Sequence, residues 1–201
     1  MTKAAPIVLV TLLGLATVAA AGDRSALPVV FDSELVVLEI ESDSLRVDGT
    51  YVLLCRPDAA GTPVSLVYPY PQDPELGGAR TVSLACRLGA GSWRQLAVHE
   101  LPGGRGALWS LPVAAGDTLE VRTTYRQALR TAYARYIVTT TAAWGRPLRS
   151  ARFEIHLPPG VVAEEFSFPF EPCDRGGRDC WCYEATDFLP DRDVTVRWRR
   201  P

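Results

Sequence analysis

From Glu34 onward, apolar and polar residues alternate with a period of two, and the runs are broken by Gly, Pro and Asp. That period puts successive side chains on opposite faces of an extended chain and so predicts a succession of strands. Glu34-Leu-Val-Val-Leu-Glu-Ile-Glu-Ser42 carries charge on one side toward its end, and Leu45, Val47, Tyr51 and Leu53 continue the beat after a turn at Ser42-Asp43. The same pattern predicts strands over 64–70, 81–88, 93–101, 107–113, 118–125, 133–141, 148–157, 165–170, 180–186 and 193–199. Many short strands and almost no 3.6-residue period imply an all-β fold. The expected architecture is an antiparallel β-sandwich, immunoglobulin-like or related, as one unit or two packed β subdomains. At most one short helix fits: Tyr125, Ala128, Leu129, Ala132 and Tyr136 recur at helical spacing, which predicts a helical or irregular turn near 126–130 ahead of the next strand.

Residues 1–21 follow a different logic. Lys3 precedes an apolar block from Ala4 to about Val18, and Ala19-Ala20-Ala21 stand before Gly22-Asp23. These are the parts of a secretory signal peptide with cleavage near Ala21. An uncleaved anchor is the alternative, because the apolar run is only slightly short of the roughly 20 residues that span a bilayer. The expected organisation is a signal peptide at 1–21 and a single exported β-rich domain at 22–201, with any subdivision near 101–130. The expected location is periplasmic or secreted, with no membrane span after signal cleavage.

Charge narrows the function classes. Lys3 is the single lysine among 21 basic residues, so loss of the signal leaves 20 arginines against 23 acidic residues. A scattered, balanced set of this kind excludes a nucleic-acid partner, which calls for a clustered basic excess. The five cysteines, Cys55, Cys86, Cys173, Cys180 and Cys182, all follow the signal, and in an oxidising compartment disulfides are the default. Cys55 and Cys86 each lie near the end of a strand-like run and are expected to pair. Cys173 is expected to bond Cys180 or Cys182, since the latter two, two residues apart on a strand, are separated by about 6.5 Å, near the geometric limit. Zinc at the cluster needs a fourth ligand, and His99 and His156 stand in unrelated segments, so no metal site is expected.

Candidate binding residues come from aromatic-proline pairs. Tyr68-Pro69-Tyr70-Pro71 and Phe166-Ser-Phe168-Pro169-Phe170 place rings on one face where proline ends a strand, which suits either an aromatic platform for a glycan or peptide or packing at a sheet edge. Asp187, Asp191 and Asp193 crowd one loop but lack the glycine and bidentate glutamate of a dedicated calcium loop. No nucleophile elbow and no phosphate-binding glycine loop are present, so no catalytic residue and no cofactor are assigned.

Several longer stretches carry a family likeness. Leu38-Glu-Ile-Glu-Ser-Asp-Ser-Leu-Arg-Val-Asp-Gly-Thr-Tyr51 is followed by Tyr68-Pro-Tyr-Pro71, then Tyr136-Ile-Val-Thr-Thr-Thr-Ala-Ala-Trp144-Gly-Arg-Pro-Leu148, Phe153, and Tyr183-Glu-Ala-Thr-Asp187-Phe-Leu-Pro-Asp191-Arg-Asp-Val194. This order resembles an uncharacterised group of exported bacterial proteins classed as domain of unknown function 4424, and the likeness spans most of the chain after the signal. Residues 78–117 are shorter than that family's pattern. The resemblance implies an envelope or secreted β-rich domain with an unknown partner, and adds Trp144 to the candidate binding residues. The function expected from the whole sequence is a non-enzymatic exported module with a binding or structural role in the bacterial envelope, its partner an envelope protein or glycan. The competing expectation is a carboxylate-dependent hydrolase or carbohydrate-active protein using Glu164, Glu165, Asp187 or Asp191.

Overall fold

The alternation in the sequence becomes strands whose inward and outward residues follow the same beat. A computed structural model describes Leu9–Val10 and residues 27–59, 61, 63–174 and 179–199. The expected signal segment therefore lies outside the described residues, except that Leu9–Val10 forms a two-residue strand, β1. The others are β2 (Val29–Ile40), β3 (Ser44–Cys55), β4 (Val64–Pro69), β5 (Leu76–Leu88), β6 (Arg94–Gln95), β7 (His99–Glu100), β8 (Gly106–Leu111), β9 (Thr118–Leu129), β10 (Tyr133–Tyr136), β11 (Leu148–His156), β12 (Val162–Phe166), β13 (Glu171–Asp174), β14 (Asp179–Phe188) and β15 (Val194–Arg199). Among the described residues the helical elements are two 3-10 turns, Pro102–Gly104 and Thr139–Trp144. No helix there is long and apolar enough to cross a membrane.

One large sheet runs β13-β14-β11-β2-β3-β9-β5-β6. Its neighbours pair antiparallel except β11 and β2, which run parallel. Two smaller sheets, β1-β4-β8-β7 and β10-β15-β12, cover its inner face. Val36, Leu38 and Ile40 of β2, Leu45, Val47 and Leu53 of β3, and Leu119 and Val121 of β9 all point into one core. That core also takes Leu66 and Trp109 from one small sheet and Val194, Val196 and Trp198 from the other. Each fully buried apolar side chain contributes on the order of 2 kcal/mol, so the stacking of these faces holds the sandwich together. The outer face is polar. Arginines there pair with carboxylates, Arg87 with Glu120 across strands at 2.7 Å and Arg126 with Glu41 of the β2–β3 turn at 2.8 Å. These half-exposed pairs add at most about 1 kcal/mol each.

Two expectations are corrected. The helical turn near 126–130 is absent: β9 stays extended through Leu129, because it hydrogen-bonds to β3 on one side and β5 on the other. Two ladders outweigh the local helix propensity of its last residues. The strand expected over 133–141 ends at Tyr136, and Thr139–Trp144 coils into a 3-10 turn.

The cysteine assignments also change. Cys55 and Cys86 are free and buried. β9 separates their strands, Cys86 lies opposite Val121, and the backbone N–H of Cys55 bonds to Asp117. Strands two places apart are about 9.6 Å from each other, beyond the roughly 7 Å that a disulfide spans. Cys173 lies opposite Cys180 and is in bonding contact with it, as expected, but Cys182 converges on the same sulfur.

Candidate functional site

A β-bulge builds the site. In β2 the register against β3 slips between Phe31 and Ser33, so Asp32 is inserted and the parity of the strand changes. Before the bulge Val29 and Phe31 face inward; after it Glu34, Val36, Leu38 and Ile40 do. A bulge re-aims the side chains that follow it, and here it drives a carboxylate into the sandwich. Arg149 on neighbouring β11 holds Asp32 at 2.8 Å.

Glu34 enters a cavity of about 60 Å³ where the three sheets meet. Its walls include Phe31 and Tyr51 from the large sheet, Tyr68 and Trp109 from one small sheet, and Tyr136 and Trp144 from β10 and the 3-10 turn. Tyr68 and Trp109 stack with centroids 4.5 Å apart, and Phe31 meets Trp144 at 5.7 Å. Gly106 allows this wall: it lies opposite Pro69 with φ 151°, and a Cβ there would collide with the Tyr68 carbonyl. By the same measure one water needs about 10–15 Å³, so the cavity takes roughly five small heavy atoms.

The polar groups form one line. The Tyr68 and Tyr51 hydroxyls are 2.8 Å apart, those of Tyr51 and Tyr136 are 3.1 Å apart, and the Tyr136 hydroxyl donates to Glu34 Oε2 at 3.3 Å. Burial pushes the Glu34 carboxyl up to about 8, although the Tyr136 hydrogen bond pulls it down. Burial also raises the hydroxyl of Tyr51, with the Glu34 charge adding to it, and raises those of Tyr68 and Tyr136. Among the described residues, Glu34 Oε1 and Trp109 Nε1 are buried without a hydrogen-bond partner. An orphan acceptor and an orphan donor in one cavity each cost about 1–3 kcal/mol unless something fills them.

Asp193 sets the position of the wall from 137 to 144. Its Oδ1 accepts the Val138 and Thr139 backbone N–H groups at 3.1 and 3.0 Å and the Thr139 hydroxyl at 2.7 Å. Its Oδ2 takes the Arg135 guanidinium at 2.6 Å. Burial pushes this carboxyl up, but Thr139 and Arg135 more than offset it and leave it below the usual carboxylate range.

Of the sequence candidates, Tyr68 and Trp144 line the cavity. Tyr70 is buried beside it against Tyr125, its hydroxyl bonded to Thr81 and to Glu100. Phe166 and Phe168 lie elsewhere, packed on Trp181 and Tyr183 of β14. The loop carboxylates do not converge: Asp193 is turned inward, Asp191 pairs with Arg192 at 2.9 Å, and Asp187 is exposed. Sequence reasoning missed Phe31, Glu34, Tyr51, Trp109 and Tyr136 as site residues. One signal for Glu34 was present, because it shares the parity of Val36, Leu38 and Ile40 and so belongs to the buried face.

No protein-family model and no curated protein matches the chain. Solved structures do. A Legionella pneumophila protein named for nutrient binding superposes with a TM-score of 0.54 at 12% identity, over 85% of this chain and 67% of that one. An M1 zinc metallopeptidase from Deinococcus radiodurans gives 0.50 at 13% identity over 85% of this chain, which spans 42% of the peptidase. At these identities the likeness shows the fold alone. The helical H-E-x-x-H zinc motif of metallopeptidases is absent from this sequence: His99-Glu100 is followed by Gly103 where the second histidine would stand.

Proposed function

We propose that the chain is an exported, non-enzymatic binding module of the bacterial envelope, of the kind its family resemblance implies, and that its aromatic cavity takes a small organic cation with an alkylammonium head. The supporting observation is the buried Glu34 carboxyl with an unpartnered oxygen, enclosed by six aromatic side chains. Aromatic faces attract cations by up to about 2 kcal/mol each when desolvated, and a carboxylate neutralises what they hold. Trp109 Nε1 offers a donor to any acceptor on the same ligand.

The competing hydrolase needs two carboxylates in one cleft. Among the described residues Glu34 is the one carboxylate lining the cavity, while Glu164, Glu165, Asp187 and Asp191 are exposed on other elements. A cation must displace the proton that Glu34 carries below pH 8, so affinity rises about tenfold per pH unit up to that point. Titration of tetramethylammonium, choline and methylammonium, followed by the fluorescence of Trp109 and Trp144 at pH 6, 7 and 8, tests this. Saturable binding that strengthens with pH and is lost in Glu34→Gln supports the reading. No binding of any of the three, or binding indifferent to Glu34→Gln, refutes it.

A further inference from the structure

Cross-strand register brings a third cysteine onto a disulfide. Cys173 on β13 lies opposite Cys180 on β14, with their Cα atoms 5.1 Å apart. Cys182 is two residues along β14 and so projects on the same face, its Cα 5.8 Å from that of Cys173. Disulfides form at Cα separations of about 4.4–6.8 Å, so both partners are in range without backbone movement. A sulfur takes one disulfide partner, and each pairing therefore leaves one thiol over. We infer that the three cysteines form a thiol–disulfide exchange site on the outer face of the large sheet: Cys173 alternates between Cys180 and Cys182, and the thiol left at Cys182 captures the disulfide of a small thiol compound. This chemistry is separate from the aromatic cavity and does not depend on what the cavity binds.

The two pairings differ in what they present. The Cys180 and Cys182 sulfurs lie 3.9 Å apart, so the spare thiol always stands beside the bonded one. Internal exchange needs no oxidant. The Cys182 thiolate attacks the Cys173 sulfur, a Cys173–Cys182 bond forms, the Cys173–Cys180 bond breaks, and its electron pair leaves on Cys180 as the thiolate. With Cys180 bonded, the spare sulfur is at half-buried Cys182; with Cys182 bonded, it is at Cys180, which is only 3% exposed. The change of partner thus shows or hides a nucleophile.

Charge also favours Cys182 as the reactive position. The Arg152 guanidinium on β11 reaches its sulfur at 3.7 Å, and a cation there stabilises the thiolate, which is the form that attacks. Glu154 at 2.7 Å and Glu184 hold Arg152 in place. These carboxylates, with Glu171 opposite Cys182 on β13, temper its effect. Arg152 acts through Cys182 and is a positioning residue. Cys180 faces His156 instead, with the two ligating atoms within 4.8 Å, and His156 lies 3.5 Å from Glu154 and opposite Glu39 of β2. Capture is a second balanced exchange: the Cys182 thiolate attacks one sulfur of R–S–S–R, a Cys182–S–R bond forms, and R–S⁻ departs with the electron pair.

The full oxidised chain is quenched in acid, its thiols are blocked, and its disulfides are mapped by mass spectrometry. Trypsin cuts after Arg175 or Arg178 and chymotrypsin after Trp181, so the three cysteines fall on separate peptides. We expect both Cys173–Cys180 and Cys173–Cys182 in the snapshot. Prolonged alkylation of the native protein should then drain both into one product, labelled at Cys182 with Cys173–Cys180 bonded. Oxidised glutathione should add one glutathione, at Cys182. Cys180→Ser and Cys182→Ser should each keep a disulfide to Cys173 and lose capture, which separates loss of the spare thiol from loss of the fold. Arg152→Met should slow capture roughly threefold at pH 7 but not at pH 10, where the thiol is ionised in both proteins. A single pairing in the snapshot, two pairings whose proportions alkylation leaves fixed, glutathione on Cys55 or Cys86 in place of Cys182, no adduct in the wild type, or an Arg152→Met rate ratio that is the same at both pH values overturns the site.

Discussion

Glu34→Gln isolates the free energy of holding an ionisable group inside the sandwich. In the folded protein the carboxyl is raised from 4.5 to about 8 by burial. A group whose folded value lies above its unfolded value contributes stability that is full below pH 4.5 and is lost as pH rises toward 8, because the native state keeps a proton that the unfolded chain releases. The full span of roughly 3.5 units corresponds to about 5 kcal/mol. About 3 kcal/mol of that is gone at pH 7, and nearly all of it by pH 9. Glutamine keeps the shape and still accepts from the Tyr136 hydroxyl but does not ionise. Urea unfolding at pH 5, 7 and 9 should therefore show the wild type falling by several kcal/mol relative to Glu34→Gln, with the variant the more stable at pH 9. Parallel pH dependence in the two proteins would refute a buried, proton-holding Glu34, and with it the basis for pH-dependent cation binding.

Two other outcomes follow from the geometry. Asp193→Asn removes the charge facing Arg135 and should cost about 2 kcal/mol at pH 7 by urea unfolding. Because the Asp193 carboxyl is depressed, its contribution is present above pH 3.8 and fades as pH falls below that value, so wild type and variant should converge in acid. The same variant should loosen the 137–144 wall, weakening whatever the cavity binds. Cys55 and Cys86, buried, unbonded and separated by β9, should resist a thiol reagent in the native protein and react on unfolding, a difference read by mass spectrometry. A disulfide between them would contradict the strand order.

Much of the architecture was legible because period-two alternation is a local property. β2, β3, β8, β11 and β15 fall close to the runs predicted for them, since each strand declares its own buried face. The segment after Tyr125 was misread for the converse reason: it has helix formers, and its two ladder partners lie far along the chain. Tyr68 and Trp144, which line the cavity, stand in local motifs that single them out. Phe31, Tyr51, Trp109 and Tyr136 do not, because nothing local distinguishes a cavity wall from a core residue.

The cysteine cluster shows the same division. Spacing alone joined Cys173, Cys180 and Cys182, which are near one another in the sequence. His156 lies opposite Cys180 only because β11 pairs with β14.

The sequence by itself determined the strand pattern, the all-β class and the closeness of the three cysteines, because these depend on side-chain periodicity and short chain separations. Only the tertiary structure decided which faces enclose a cavity, that a bulge at Asp32 turns Glu34 inward, that Cys55 and Cys86 stay apart, and that His156 lies opposite Cys180. Those outcomes depend on strand order and register, which long-range packing sets and local alternation does not encode.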